Sequence, residues 1–98
     1  MNGEIQQAIE LVNKDFALSL PVREVNDLDD MERKLTALVQ YLLDHDFERL
    51  LNGLYRIDVS EEKVKAVMAA GDQVAQNIAR LIVEREMAKV QTRAKYRK

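Results

Sequence analysis

The amino-acid sequence predicts an all-α fold: a four-helix, mostly antiparallel bundle with a short third helix and an overlong C-terminal one. Three observations carry this expectation. Apolar residues recur at spacings of three and four in four separate segments, the period of one helix face. No segment keeps the period-2 alternation of a half-buried strand. Three glycines and one proline in 98 residues leave little turn material for a strand-rich domain. Short connections favour antiparallel neighbours, and the length fits one domain, 1–98, with a basic C-terminal extension from about residue 88.

The first helix is expected from about Gly3 to Leu18, where Ile5, Ala8, Ile9, Val12 and Phe16 share a face. Pro21 disfavours a helical Leu20 and supplies no amide donor, so residues 19–26 read as the longest connection. The second helix opens near Asn26 or Asp27, either of which can accept from a first-turn amide. Leu28, Met31, Leu35, Leu38 and Leu42 then repeat at 3-4-3-4, widened by Val39 and Leu43. Burial is expected for Leu35, Leu38 and Leu42, and for Ile78 and Leu81 of the fourth helix. Asp44-His45-Asp46 interrupts the pattern, and either aspartate can cap a third helix over roughly 46–57 with Phe47, Leu50, Leu51, Leu54 and Ile57 as its apolar face.

Asp58-Val59-Ser60-Glu61 fits a capping box, with Asp58 or Ser60 as the cap. A single fourth helix is expected from Ser60 to the end, about 55 Å long at 1.5 Å per residue. Gly71 inside it costs about 1 kcal/mol against alanine, a cost that close helix packing would explain. Val64, Val67, Met68, Gly71, Val74, Ala75, Ile78, Leu81 and Ile82 share one side. Val83, Met87, Val90 and Ala94 form a second stripe, rotated from the first by roughly 130° on a helical wheel. The expectation is a projecting segment whose second stripe meets a partner.

Cysteine is absent, which excludes a disulfide framework, a thiol nucleophile and thiolate metal ligands. Met1-Asn2-Gly3-Glu4 lacks the basic start and apolar core of a signal peptide. The run Phe16–Val22, with Ser19 and Pro21, is far short of a membrane span. A cytoplasmic protein without membrane contact is the expectation. The net charge of −2 is unevenly spread: residues 1–87 carry net −7 and residues 88–98 net +5.

No constellation for catalysis, cofactor or metal emerges, so a non-enzymatic protein is expected. Asp44, Asp46 and Glu48 match positions 1, 3 and 5 of a calcium loop, but Arg49 and Tyr55 replace the required glycine and carboxylate. His45, the one histidine, has no encoded nucleophile, acid or second ligand set around it. It reads as a solvated residue between two aspartates.

Two kinds of contact surface remain. Val83, Met87, Val90 and Ala94 are the partner-binding candidates, pointing to a homodimer or another helical protein. Arg49 and Arg56 on the third helix, with Lys89, Arg93, Lys95 and Arg97 in the tail, are the anion-binding candidates. A guanidinium fork suits phosphate or carboxylate, and Tyr96 among the cations suits base stacking. The alternative function is therefore an anion- or nucleic-acid-binding adaptor, although the acidic body opposes a phosphate backbone.

The segment Asp46-Phe47-Glu48-Arg49-Leu50-Leu51-Asn52-Gly53-Leu54-Tyr55-Arg56-Ile57-Asp58-Val59-Ser60-Glu61 resembles one found in small uncharacterised all-helical bacterial proteins. It covers about a sixth of the chain. The resemblance implies a bacterial origin and an all-helical fold, and it transfers no activity or functional residue.

Overall fold

The computed structural model describes residues 2–16 and 25–96. Five helices are seen among them: α1 (Asn2–Phe16), α2 (Leu28–His45), α3 (Phe47–Ile57), α4 (Glu61–Ala70) and α5 (Val74–Tyr96), with no strand among the described residues. The all-helical expectation holds, but the count of four does not. Pro21 and most of the expected long connection lie outside the described residues, as do Arg97 and Lys98.

The expected fourth helix is two helices because Gly71 is a terminator. It adopts φ 69°, the left-handed region, and its amide donates to the Val67 carbonyl, closing α4. Glycine enters that region without the Cβ penalty, which is why helices so often end on it. Close packing is not the explanation, since a Cβ at Gly71 would meet nothing within 4 Å. Gln73 also has positive φ, 49°, and α5 restarts with the Asn77 amide donating to the Gln73 carbonyl at 2.9 Å. The expected 55 Å rod is thereby reduced to a 23-residue α5, about 34 Å at standard rise.

The other boundaries follow side-chain caps. Asp27 accepts from the Asp30 amide at 2.8 Å to start α2. Asp46 accepts from the Arg49 amide at 3.2 Å to start α3. Of the two candidates for α4, Ser60 is the cap, accepting from the Lys63 amide at 3.3 Å. Asp58 instead ends α3 in the left-handed region, φ 63°.

α5 is the hub. It packs most extensively on α2, then on α1, and also touches α4 and α3, whereas α4, among the described helices, contacts α5 alone. The core combines Ala8, Ile9, Val12 and Phe16 of α1 with Met31, Leu35, Val39 and Leu42 of α2. Leu50, Leu54 and Ile57 come from α3, and Ala75, Ile78, Ala79, Ile82, Val83 and Val90 from α5. The α2 seam runs through Val39 rather than Leu38, which is half-buried, as is Leu81; Leu28 is exposed.

Polar contacts fasten helix ends across this core. Arg49 Nε donates to the Phe16 carbonyl at 3.2 Å, tying α3 to α1. Arg85 Nε donates to the Ile57 carbonyl at 3.0 Å, closing α3 from α5. The second satisfies a carbonyl in the last turn of α3, which lacks a partner within its own helix. Glu32 of α2 takes Arg80 of α5 at 3.2 Å, and this bond from Arg80 holds its carboxyl below the ordinary range.

Where α1 meets α3, the Phe16 ring lies on Gly53, and a Cβ at position 53 would overlap it. Alanine in a helix interior normally stabilises by up to about 1 kcal/mol over glycine. Here overpacking reverses the sign, because backbone carries the clash on one side and a buried ring on the other. Gly53→Ala is expected to destabilise by about 1–3 kcal/mol, read from urea denaturation midpoints at unchanged slope.

Candidate interaction surface

On α5 the two expected stripes are flanks of one buried face. At 100° per residue, Ala75, Ile78, Ala79, Ile82, Val83, Glu86 and Val90 fall within an arc of roughly 140°. Its middle is occupied by Glu86, which has no exposed surface. Reading a glutamate as solvent-facing splits this arc in two and creates the apparent rotation. Val83 and Val90 are therefore core residues, Met87 packs half-buried against the core, and only Ala94 is exposed. The expected partner-binding strip is thus intramolecular at Val83 and Val90, because α5 packs against the bundle as far as Val90, whereas residues 91–95 are exposed.

The anion-binding candidates are not gathered into one cluster. Arg49 is engaged at the end of α1, Lys89 is half-buried and acts on Glu86, and Arg56, Arg93 and Lys95 are exposed on α3 and α5. Arg97 lies outside the described residues, as does the Tyr96 side chain. Asp44 accepts from Gln40 at 3.2 Å and Asp46 caps α3, so both have structural partners. The His45 ring lies 4.5 Å from that of Tyr41. Among the described residues no group of three or more metal-ligating side chains occurs, and no helix is long and apolar enough to cross a membrane.

The apolar surface that remains open is on α3. Its hydrophobic arc is wider than one neighbour can cover: Leu50, Leu54 and Ile57 enter the core, while Phe47, Leu51 and Tyr55 stay 43%, 42% and 86% exposed. These three lie at i, i+4 and i+8, so they form a continuous stripe. The C-terminal half of the stripe borders a groove of about 490 Å³ between α3 and α4, lined by Leu51, Leu54, Tyr55, Val59 and Val64, with Asp58 and Glu61 among its polar lining. Sequence periodicity assigns Phe47 and Leu51 to the core, since it reports that an arc is apolar but not which part of it is covered.

A second anomaly is internal. Both carboxylate oxygens of Glu86 are buried and accept no hydrogen bond. Burial is the main cause that pushes its pKa up to about 8, followed by Asp15 of α1, which stands close enough to share a proton; Lys89 and Arg85 partly oppose the shift. No family model, curated protein or solved structure matches the chain. Its surface and its buried acid are thus the available guides to function.

The sign of the pH effect follows from linkage. Below the ordinary glutamate value of 4.5 both folded and unfolded chains carry the proton. Between 4.5 and about 8 only the folded chain keeps it. Stability is therefore fully present below 4.5, falls as pH rises towards 8, and levels above. At 1.36 kcal/mol per unit, the loss is at most about 4–5 kcal/mol. Asp30 and Glu32, both held low, act oppositely and lose their contribution as pH falls. Denaturant titrations at pH 5 and pH 8 should show Glu86→Gln losing most of the wild-type decline across this range.

Proposed function

We propose that the protein is a non-enzymatic helical interaction module that self-associates through α3, with a second copy as the occupant of the α3–α4 groove. The observation that carries this reading is the exposed stripe Phe47-Leu51-Tyr55 beside an apolar groove. Contiguous apolar patches of this kind mark contact sites more often than isolated exposed residues do.

The second copy is favoured by the way anchor and receptor share one helix. Phe47 stands at the N-terminal end of the stripe and the groove lies at its C-terminal end. A two-fold axis near Leu51 then places Phe47 of each copy at the groove of the other, so one patch satisfies itself, as an isologous interface requires. Large aromatic side chains are also the residues that most often dominate interface energetics. In the same reading, the short connections between α2 and α3 and between α3 and α4 keep the bundle mostly antiparallel, and the chain acts in the cytoplasm.

A second reading rests on the exposed Arg93 and Lys95 near the end of α5, which suit an anionic partner such as nucleic acid. It predicts binding that weakens steeply with salt through counterion release. An apolar α3 interface predicts little salt dependence.

Light scattering across a concentration series provides the test. Wild type is expected to move from monomer to dimer, whereas Phe47→Glu and Leu51→Glu each weaken the dimer at least tenfold, about 1.4 kcal/mol. Both side chains keep about two fifths of their surface open, so the monomer should still unfold cooperatively, with only a modest fall in Tm. A wild type that remains monomeric at millimolar concentration rules out the self-association reading.

A further inference from the structure

We propose that Glu86 and Asp15 form a proton-operated latch that holds α1 against α5 and lets it go when the shared proton is lost. The latch is independent of the α3 surface.

A glutamate at the centre of the α5 face is fully enclosed and has no hydrogen-bond partner for either oxygen when written as a carboxylate. Two facing carboxylates contain no donor, so the enclosure makes sense only with one proton between them. Protonated Glu86 is a donor, and the Asp15 carboxyl on the helix packed opposite offers an acceptor oxygen. The charged groups acting on Glu86 are Asp15 from α1 and Lys89 and Arg85 from α5 itself; α2, α3 and α4 contribute none among the described residues. Neither basic group donates to the buried oxygens, so neither replaces the proton.

Loss of the proton leaves an uncompensated charge in an apolar enclosure and a like charge beside it. A buried charge of this kind is relieved by solvation, and the group that faces Glu86 belongs to α1. Release of α1 solvates both carboxyls. It also uncovers Ala8, Ile9, Val12 and Phe16 together with the parts of α5 and α3 that α1 covers, apolar faces absent from the closed form. The latch thus links proton concentration to how much contact surface the protein presents. The upward displacement of the Glu86 pKa places the transition within the neutral range.

Amide hydrogen exchange by NMR from pH 5 to pH 8, corrected for intrinsic exchange rates, tests this. In wild type the α1 amides should be less protected than those of α2 throughout. Their opening constant should rise by somewhat under tenfold per pH unit, a few hundredfold in total, because each opening releases up to one proton. Glu86→Gln should flatten this rise to within about threefold. Asp15→Asn, at a half-buried position, provides an independent arm should the first variant fold poorly. It removes the like charge and should cut the total rise below a hundredfold. A pH-independent α1 opening in wild type overturns the latch, as does an unchanged profile in Asp15→Asn. So does α1 protection equal to that of α2 at every pH, which would mean the pair is exposed only when the whole protein unfolds.

Discussion

Each of the other four described helices lies against α5, so the burial of one broad side of a 23-residue helix is the constraint from which the arrangement follows. α2 supplies the longest matching face and α1 the next, while α3 is held by its own core residues and by Arg85 reaching its last turn. Burial of this extent is non-directional, and it does not by itself fix how far each helix slides along its neighbour. The fixed points are directional: Arg49 on the α1 carboxyl end, Arg85 on that of α3, and the Arg80–Glu32 pair between α2 and α5. Exposed ion pairs contribute little stability individually; their value here is to select one register among several with similar buried area.

The same constraint explains why one acid is tolerated inside. A position at the middle of the α5 arc cannot reach solvent by a change of rotamer, because flanking residues on both sides are covered. The side chain placed there must be apolar or neutralised. Neutralisation by a proton rather than by a salt bridge makes the interior sensitive to solution conditions, where a leucine would make it indifferent. In that sense the core has a composition that depends on pH.

Legibility in the sequence varied with the kind of information each feature needs. Helix identity and most boundaries were open to reading because they are local: Asp27, Asp46 and Ser60 sit at the start of apolar-periodic runs, and the α1 face of Ala8, Ile9, Val12 and Phe16 is unambiguous. Gly71 was visible but ambiguous, since a glycine in a helical pattern either permits close approach or ends the helix, and only the backbone conformation decides. Glu86 interrupts a hydrophobic pattern that the fold keeps continuous, so Val83 and Val90 read as part of a separate stripe although both are buried in the core. Conversely, Phe47 and Leu51 look like core because periodicity marks the whole apolar arc of α3, while only Leu50, Leu54 and Ile57 within it are covered. Gly53 carried no local sign of its role, which is written in the distant Phe16.

The tenuous attachment of α4 has a consequence for variation. It is joined to the rest by exposed turns at both ends and, among the described helices, contacts α5 alone. Changes in its length or sequence would leave the α2–α5 and α1–α5 seams untouched while widening, deepening or filling the groove beside α3. Recognition in such a chain can therefore diverge without the scaffold having to be reinvented: the hub preserves the architecture, and a ten-residue appendage supplies the evolvable part.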